Sequence, residues 1–217
     1  PNLYFVLDRS GSMHDSGKWD SVRTTVQQIV RSLGPRANFG VAIYPSARAD
    51  DCYPGYETMP TRPGDSPPGA EGATMTLLKQ SMNVLANGGT PTGPTLRGLQ
   101  NKLTSLSGRT YVLLATDGAP NCNDTATCDV TQCMPNIEDA PGCPPAGPTN
   151  CCTDPKYGGG GSCIDPSALA AVRDLAAANI PTYVIGVPGS APYAKVLDDS
   201  DELTQHRASQ WWFRRCA

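Results

Sequence analysis

The strongest constraint on the fold is a short stretch near the start of the chain, where an apolar run ends in an acid. Leu3–Leu7 is an unbroken apolar run, and Asp8, Ser10 and Ser12 follow it at alternate positions. Such a run is typical of a parallel strand that is buried on both faces of a sheet, and ligands bind at the carboxyl ends of such strands. Gly11 lets the loop curl tightly, so its three oxygen side chains can converge on one hard cation.

Helical and strand patterns alternate along most of the remaining chain. The apolar spacing predicts four helices, over Lys18–Leu33, Met75–Leu85 (ending at Asn87-Gly88-Gly89), Pro94–Leu106 and Asp165–Ala178. Further strands are predicted over Asn38–Pro45, Tyr111–Thr116 and Pro181–Val187, with a short edge strand near Tyr56–Arg62. The tail Trp211–Ala217 fits either a last strand or a frayed end.

A second buried strand also ends in an acid. Tyr111–Thr116 is followed by Asp117 and Gly118, as Leu7 is followed by Asp8. Two central strands therefore each deliver a carboxylate to the carboxyl edge of the predicted sheet.

The bulk composition excludes some classes of partner. The net charge of −3 argues against nucleic acid as the main partner. The sequence has no run of about eighteen apolar residues, so we expect no membrane insertion. The chain starts directly on a strand at Pro1, so we expect a processed or trimmed N-terminus that leaves room for a lost export signal.

The chain has nine cysteines, most of them in a segment rich in Gly and Pro. No CxxC spacing occurs, which favours disulfides over zinc and places the protein outside the cytoplasm, in an extracellular, cell-surface or periplasmic location. Because nine is odd, at least one thiol is free or pairs outside this chain. The disulfide candidates are Cys52, Cys122, Cys128, Cys133, Cys143, Cys151, Cys152, Cys163 and Cys216.

Three separated motifs together resemble the metal-ion-dependent adhesion site of the von Willebrand factor A domain family. They are the DxSxS sequence of Asp8, Ser10 and Ser12, then Thr90 in GGTPTG, then Asp117 in TDG. The resemblance covers roughly residues 3–187. It implies an α/β fold with a doubly wound, mostly parallel, Rossmann-like open sheet, helices on both faces, and neighbouring first and fourth strands. We expect a single domain over residues 1–217 with a disulfide-rich loop insertion at about 119–164.

The resemblance also implies a function. Asp8, Ser10, Ser12, Thr90 and Asp117 would hold a divalent cation, Mg²⁺ before Ca²⁺ or Mn²⁺, with one open position for an acidic side chain of a partner protein. We therefore expect an extracytoplasmic, metal-dependent protein-binding or adhesion module that is not an enzyme. It would belong to a larger chain or a surface assembly, and the insertion beside the site would shape its choice of partner.

Other interpretations of the same residues stay open at this point. Ser10 and Ser12 would suit caps of the following helix, Thr92 would suit a cap of the third helix, and Asp117 would suit a plain turn residue. The chain as a whole could be a structural subunit stabilised by disulfides and metal. An enzyme that uses the same metal, for example a phosphoesterase, is a weaker alternative, because the sequence offers Asp8 and Asp117 but no cluster of histidines. A serine hydrolase that uses His14 is also weaker, because the GxSxG motif is absent and the chain has only two histidines.

Overall fold

The computed structural model describes residues 1–47, 52–118, 120–123 and 163–187. Its strands are β1 (Asn2–Asp8), β2 (Asn38–Tyr44), β3 (Tyr56–Pro63), β4 (Thr110–Thr116) and β5 (Thr182–Gly186). Its helices are α1 (Lys18–Leu33), α2 (Ala73–Ser81), α3 (Thr92–Ser105) and α4 (Ser167–Ala177). The strands form one sheet in the order β3-β2-β1-β4-β5, in which only β3 runs antiparallel.

The central strand β1 is buried on both faces, as its apolar run predicts. Tyr4 and Val6 pack into one core cluster with the buried leucines of α3 and the apolar face of α4. Phe5 and Leu7 pack on the opposite face, against α1 and α2. Successive side chains of a strand point to opposite faces, so one strand contributes to both cores. The predicted doubly wound sheet with helices on both faces is confirmed.

The strand order places the two acids side by side. Strands β1 and β4 are parallel neighbours, with Leu7 opposite Ala115 in the register. The chain winds away from β1 in both directions, towards β2 on one side and β4 on the other. Asp8 and Asp117 therefore end adjacent strands at the point where the strand order reverses, which is where open α/β sheets bind ligands.

The predicted end of the second helix is wrong. Helix α2 stops at Ser81, and Leu85, which the apolar spacing placed on its buried face, is 83% exposed. Beyond Ser81 the backbone serves tertiary contacts instead: the Val84 carbonyl accepts a hydrogen bond from the Trp19 indole at 2.8 Å. Contacts from other elements thus override the local helical pattern.

The other predicted elements are confirmed within one or two residues of their ends, and β3 is the expected edge strand. Within the described residues, no helix is both long enough and apolar enough to cross a membrane. The tail Trp211–Ala217 and most of the predicted insertion lie outside the described residues, as do the candidate cysteines Cys128, Cys133, Cys143, Cys151, Cys152 and Cys216.

Candidate metal site at the carboxyl edge of the sheet

Four of the five predicted ligands form one hydrogen-bonded cluster. The backbone N–H of Ser10 donates to Asp8 Oδ1 at 2.7 Å. The Ser10 and Ser12 hydroxyls lie 3.3 Å apart, and Ser12 Oγ donates to Asp117 Oδ1 at 2.9 Å. The loop after β1 therefore reaches across to the residue after β4, over a sequence separation of 105.

Asp8 is fully buried, and its carboxylate is held by neutral donors. Besides the Ser10 N–H, the Thr116 hydroxyl donates to Asp8 Oδ2 at 2.6 Å. The pKa of Asp8 is raised to about 7, chiefly by burial and also by the nearby charge of Asp117, while the hydrogen bonds from Thr116 and Ser10 oppose the rise. A buried carboxylate with such a raised pKa is one whose ionised form lacks compensating positive charge.

Thr90 lies in a loop that contacts the same edge through its backbone. The N–H of Gly11 donates to the Gly88 carbonyl at 2.8 Å, and Thr90 itself is 1% exposed. The Thr90 N–H donates to Asn121 Oδ1 at 2.7 Å. Among the described residues, no hydrogen bond joins the Thr90 hydroxyl to the serines or to the two acids, so the fold brings its loop to the site without linking its side chain into the cluster.

A disulfide packs directly behind this loop. Cys52 and Cys122 are bonded, and a Cβ placed on Gly89 would lie 2.5 Å from Cys122 Sγ and 3.0 Å from Cys52 Sγ. The glycine before Thr90 is thus required by close contact with the sulfur atoms. Cys163 is also disulfide-bonded. The predicted use of cysteines in disulfides is confirmed for these residues, and the start of the insertion borders the site.

Two basic residues of the site were not predicted from the sequence. The Arg9 guanidinium donates to the Pro45 carbonyl at 2.8 Å and to the Leu85 carbonyl at 2.6 Å, so it ties the loop after β1 to two neighbouring loops. Lys18 Nζ lies 2.7 Å from Asp117 Oδ2. The available signal was position alone: Arg9 lies inside the DxSxS motif, and Lys18 begins the helix that follows it.

The alternative interpretations as helix caps and as a turn residue do not hold. Ser10 is the N-cap residue of a 3-10 helix over Gly11–Gly17, but its side chain makes no capping hydrogen bond there, and the residue that precedes α1 is Gly17. Thr92 is the first residue of α3, which has no side-chain cap. Asp117 is fully buried, and its carboxylate accepts hydrogen bonds from Ser12 and Lys18, which a plain turn residue would not need.

The residues present fit a hard divalent cation. Both carboxylates are fully buried, and Lys18 pairs with Asp117, whereas the hydrogen bonds to Asp8 come from neutral donors, so a cation would stabilise the ionised form of Asp8. The other side chains of the cluster offer hydroxyl oxygens, and oxygen ligands suit Mg²⁺, Mn²⁺ or Ca²⁺. Among the described residues, no group of three or more His, Cys, Asp or Glu side chains could hold a metal, which leaves this mixed set of acids and hydroxyls as the best candidate.

Comparison with known proteins identifies the family and the fold. The sequence profile of the von Willebrand factor type A domain matches residues 2–145. A search of curated protein sequences gives no significant match. Three solved structures share the fold at low sequence identity: the pilus adhesin SpaC from Lactobacillus rhamnosus GG (TM-score 0.61, 16% identity), the vWF domain of the type V pili tip protein Mfa5 from Porphyromonas gingivalis (0.59, 14%) and the manganese-loaded TRAP protein from Plasmodium vivax (0.51, 16%).

These alignments cover nearly all of this chain but different shares of the other proteins. They include 94% of this chain with SpaC, 94% with the Mfa5 domain and 97% with TRAP. The corresponding shares of the other chains are 27%, 85% and 64%. The chain therefore spans about a quarter of the length of the SpaC adhesin, and at these identities the likeness establishes the fold alone.

Proposed function

Because the chain belongs to the von Willebrand factor type A domain family, we propose that it is an extracytoplasmic protein-binding module that acts through a divalent cation at the carboxyl edge of its sheet. The observation that carries the proposal is the buried cluster in which Asp8, Ser10, Ser12 and Asp117 are joined by hydrogen bonds. When bound, the cation supplies a Lewis-acidic position that accepts a carboxylate oxygen of a partner protein.

The residues of the site have distinct roles in this proposal. Ser10, Ser12 and Thr90 are the neutral ligands, and Asp117 balances the charge of the cation. Asp8 positions the loop, because both of its oxygens are already engaged by Ser10 and by Thr116. With neutral groups nearest to it, the cation keeps its attraction for an outside anion. We propose Mg²⁺ as the natural cation, with Mn²⁺ or Ca²⁺ as alternatives.

The surface around the site has room for further contacts with the partner. A cleft of about 470 Å³ opens beside Arg9, between the loops that follow β2 and α2. The exposed side chain of Leu85 lines it. The partner would thus present an acidic residue to the cation and an apolar residue to this cleft.

The location and assembly follow from the disulfide and the structural neighbours. The Cys52–Cys122 bond fits an oxidising compartment. Two of the structural neighbours are pilus proteins, and one of these is an adhesin. We propose that this domain acts outside the cytoplasm in a comparable surface assembly.

We propose a binding role rather than a catalytic one. The Ser10 and Ser12 hydroxyls bond to each other and to Asp117, and the exposed His14 takes no part in this cluster of the described residues. Metal-dependent turnover of generic phosphate esters that is lost in Asp117→Ala would contradict this part of the proposal.

A purely structural role is the second candidate, and the disulfide packed against Gly89 favours it. Thermal melting separates the two. A large loss of stability with reductant and none with EDTA would favour the structural role, whereas a clear loss with EDTA supports a bound cation.

The direct test is calorimetric titration with Mg²⁺ and Mn²⁺. Asp8→Ala and the double variant Ser10→Ala/Ser12→Ala should each lose affinity by at least ~10- to 100-fold, the range seen when groups around a metal are removed. Ser32→Ala removes an exposed hydroxyl on α1 and is the matched control. Unchanged metal affinity in both site variants would overturn the proposal.

The open position is tested with acetate as a minimal carboxylate. In the Mn²⁺-loaded protein, water-proton relaxation reports the water molecules bound to the ion. Acetate should lower this relaxation as it displaces water, and sodium chloride at equal ionic strength should not. Relaxation that does not respond to acetate would contradict the open position.

A further inference from the structure

Lys18 is a largely buried cation that the family motif does not account for. Its Nζ lies 2.7 Å from Asp117 Oδ2 and donates a second hydrogen bond to the Ser12 carbonyl at 3.1 Å. The Lys18 side chain is 11% exposed, and that of Asp117 is fully buried. The ammonium group therefore touches both halves of the candidate site.

The position of Lys18 is unfavourable for the helix to which it belongs. It is the first residue of α1, where the helix dipole disfavours a positive charge. Burial of a lysine also costs desolvation and rotamer entropy. Helix stability alone does not explain a lysine here, whereas its contact with Asp117 does.

The two oxygens of Asp117 are shared between two different partners. Ser12 donates to Oδ1, and Lys18 donates to Oδ2. Each oxygen of the Asp117 carboxylate therefore already accepts a hydrogen bond when no ion is bound. A divalent cation that recruits Asp117 must either displace the ammonium group or bind beside its positive charge.

We propose that Lys18 is a built-in counter-ion that competes with the divalent cation and makes the loaded site selective for an anionic partner. This inference rests on the function proposed above. The formal charge of Lys18 explains both effects: whatever the charge of the other groups, the loaded site carries one positive charge more with Lys18 than without it, and this charge repels a divalent cation. The same charge attracts the carboxylate of a partner, and that attraction would be weaker in a loaded site without Lys18.

The proposal predicts opposite changes in two affinities when the charge is removed. Lys18→Met should bind Mn²⁺ at least about tenfold more tightly, because like-charge repulsion is lost. The same Mn²⁺-loaded variant should bind acetate several-fold more weakly than the wild type. In EDTA, Lys18→Met should melt lower by about 6 °C or more, because Asp117 is left buried without its cationic partner.

Three other variants complete the experiment. Lys18→Arg keeps the charge and should retain weak Mn²⁺ binding. Lys18→Gln keeps a donor for the Ser12 carbonyl and replaces Lys18→Met if that variant does not fold. Lys79→Met is the matched control, because it replaces a lysine of α2 that forms an exposed ion pair with Glu71. This variant should behave like the wild type in both titrations.

The outcomes separate this inference from the proposed function. The inference is overturned if the wild type binds Mn²⁺ and a folded Lys18→Met or Lys18→Gln variant binds it equally or more weakly. That result leaves the proposed function intact. Failure of both wild type and the Lys18 variants to bind Mn²⁺ overturns both. Binding by the variant but not by the wild type supports the competition directly.

Discussion

The Cys52–Cys122 bond offers the sharpest quantitative test of the fold. It closes a chain segment with a sequence separation of 70, and that segment contains no other cysteine. Replacing both residues by alanine removes this cross-link alone, whereas a reductant would also break the disulfide of Cys163. A double variant is needed because a single one would leave a free thiol able to mispair.

The expected loss follows from the length of the closed segment. Cross-linking residues this far apart removes chain entropy from the unfolded state, which for this separation is worth about 4 kcal/mol at 25 °C. With a urea dependence of about 2.5 kcal/mol per molar, the unfolding midpoint should fall by about 1.6 M. The melting temperature should fall by about 8–16 °C.

Urea unfolding under non-reducing conditions, followed by tryptophan fluorescence, measures this loss. The serine pair Cys52→Ser/Cys122→Ser is the control for side-chain chemistry, and it should lose a similar amount if the cross-link is the cause. A midpoint shift below about 0.4 M, equivalent to about 1 kcal/mol, would refute the reasoning. Because Gly89 packs against the sulfur atoms, Mn²⁺ affinity should also fall in the alanine pair.

Two further predictions concern positions away from the site. Asp65→Ala should cost about 1–2 kcal/mol in urea unfolding, since its carboxylate accepts backbone N–H bonds at the start of α2; Asp20→Ala, which breaks an exposed ion pair, should cost at most about 0.5 kcal/mol. Partial burial alone would raise the pKa of Asp65, but the three backbone hydrogen bonds outweigh it and lower that pKa. The stabilisation by Asp65 is therefore fully present above the unfolded pKa of about 3.9 and is lost as the pH falls through the folded pKa. The difference in stability between Asp65→Ala and the wild type should vanish in more acidic melts. Gly40→Ala should cost about 1–3 kcal/mol, because its Cβ would lie 2.6 Å from the Tyr4 ring. Gly98 lies at an exposed position of α3, where an added Cβ would have nothing within 4 Å, so Gly98→Ala should instead raise the free energy of unfolding by about 0.5–1 kcal/mol. Changes of the same sign for both glycines would contradict this packing argument.

The parts of the fold that could be predicted are those encoded locally. The apolar run before Asp8 identifies β1, and the spacing of Trp19, Val22 and Val26 identifies the buried face of α1. Strand pairing followed from the family resemblance, which predicted that the strands ending at Asp8 and Asp117 are neighbours. The gathering of the acids and serines at one edge is a consequence of that order.

The parts that could not be predicted depend on contacts between distant residues. Lys18 forms an ion pair with Asp117 over a sequence separation of 99, and no local sequence pattern near either residue predicts this pair. Beyond the early end of α2, the Trp19 indole donates to the Val84 carbonyl, a contact across 65 positions that local spacing does not predict. The choice of Cys122 as the partner of Cys52, among nine cysteines, is likewise set by the folded chain and not by composition.

The covalent ring closed by Cys52 and Cys122 also has a mechanical consequence. Thr90 and Asp117 lie inside the ring, whereas the loop after β1 precedes it. Tension applied to the two ends of the chain passes through the disulfide. The segment between the two cysteines therefore does not extend while the disulfide is intact. For 70 positions that withheld length is about 240 Å. Two of the five candidate ligands therefore lie in a segment that tension cannot extend while the disulfide is intact.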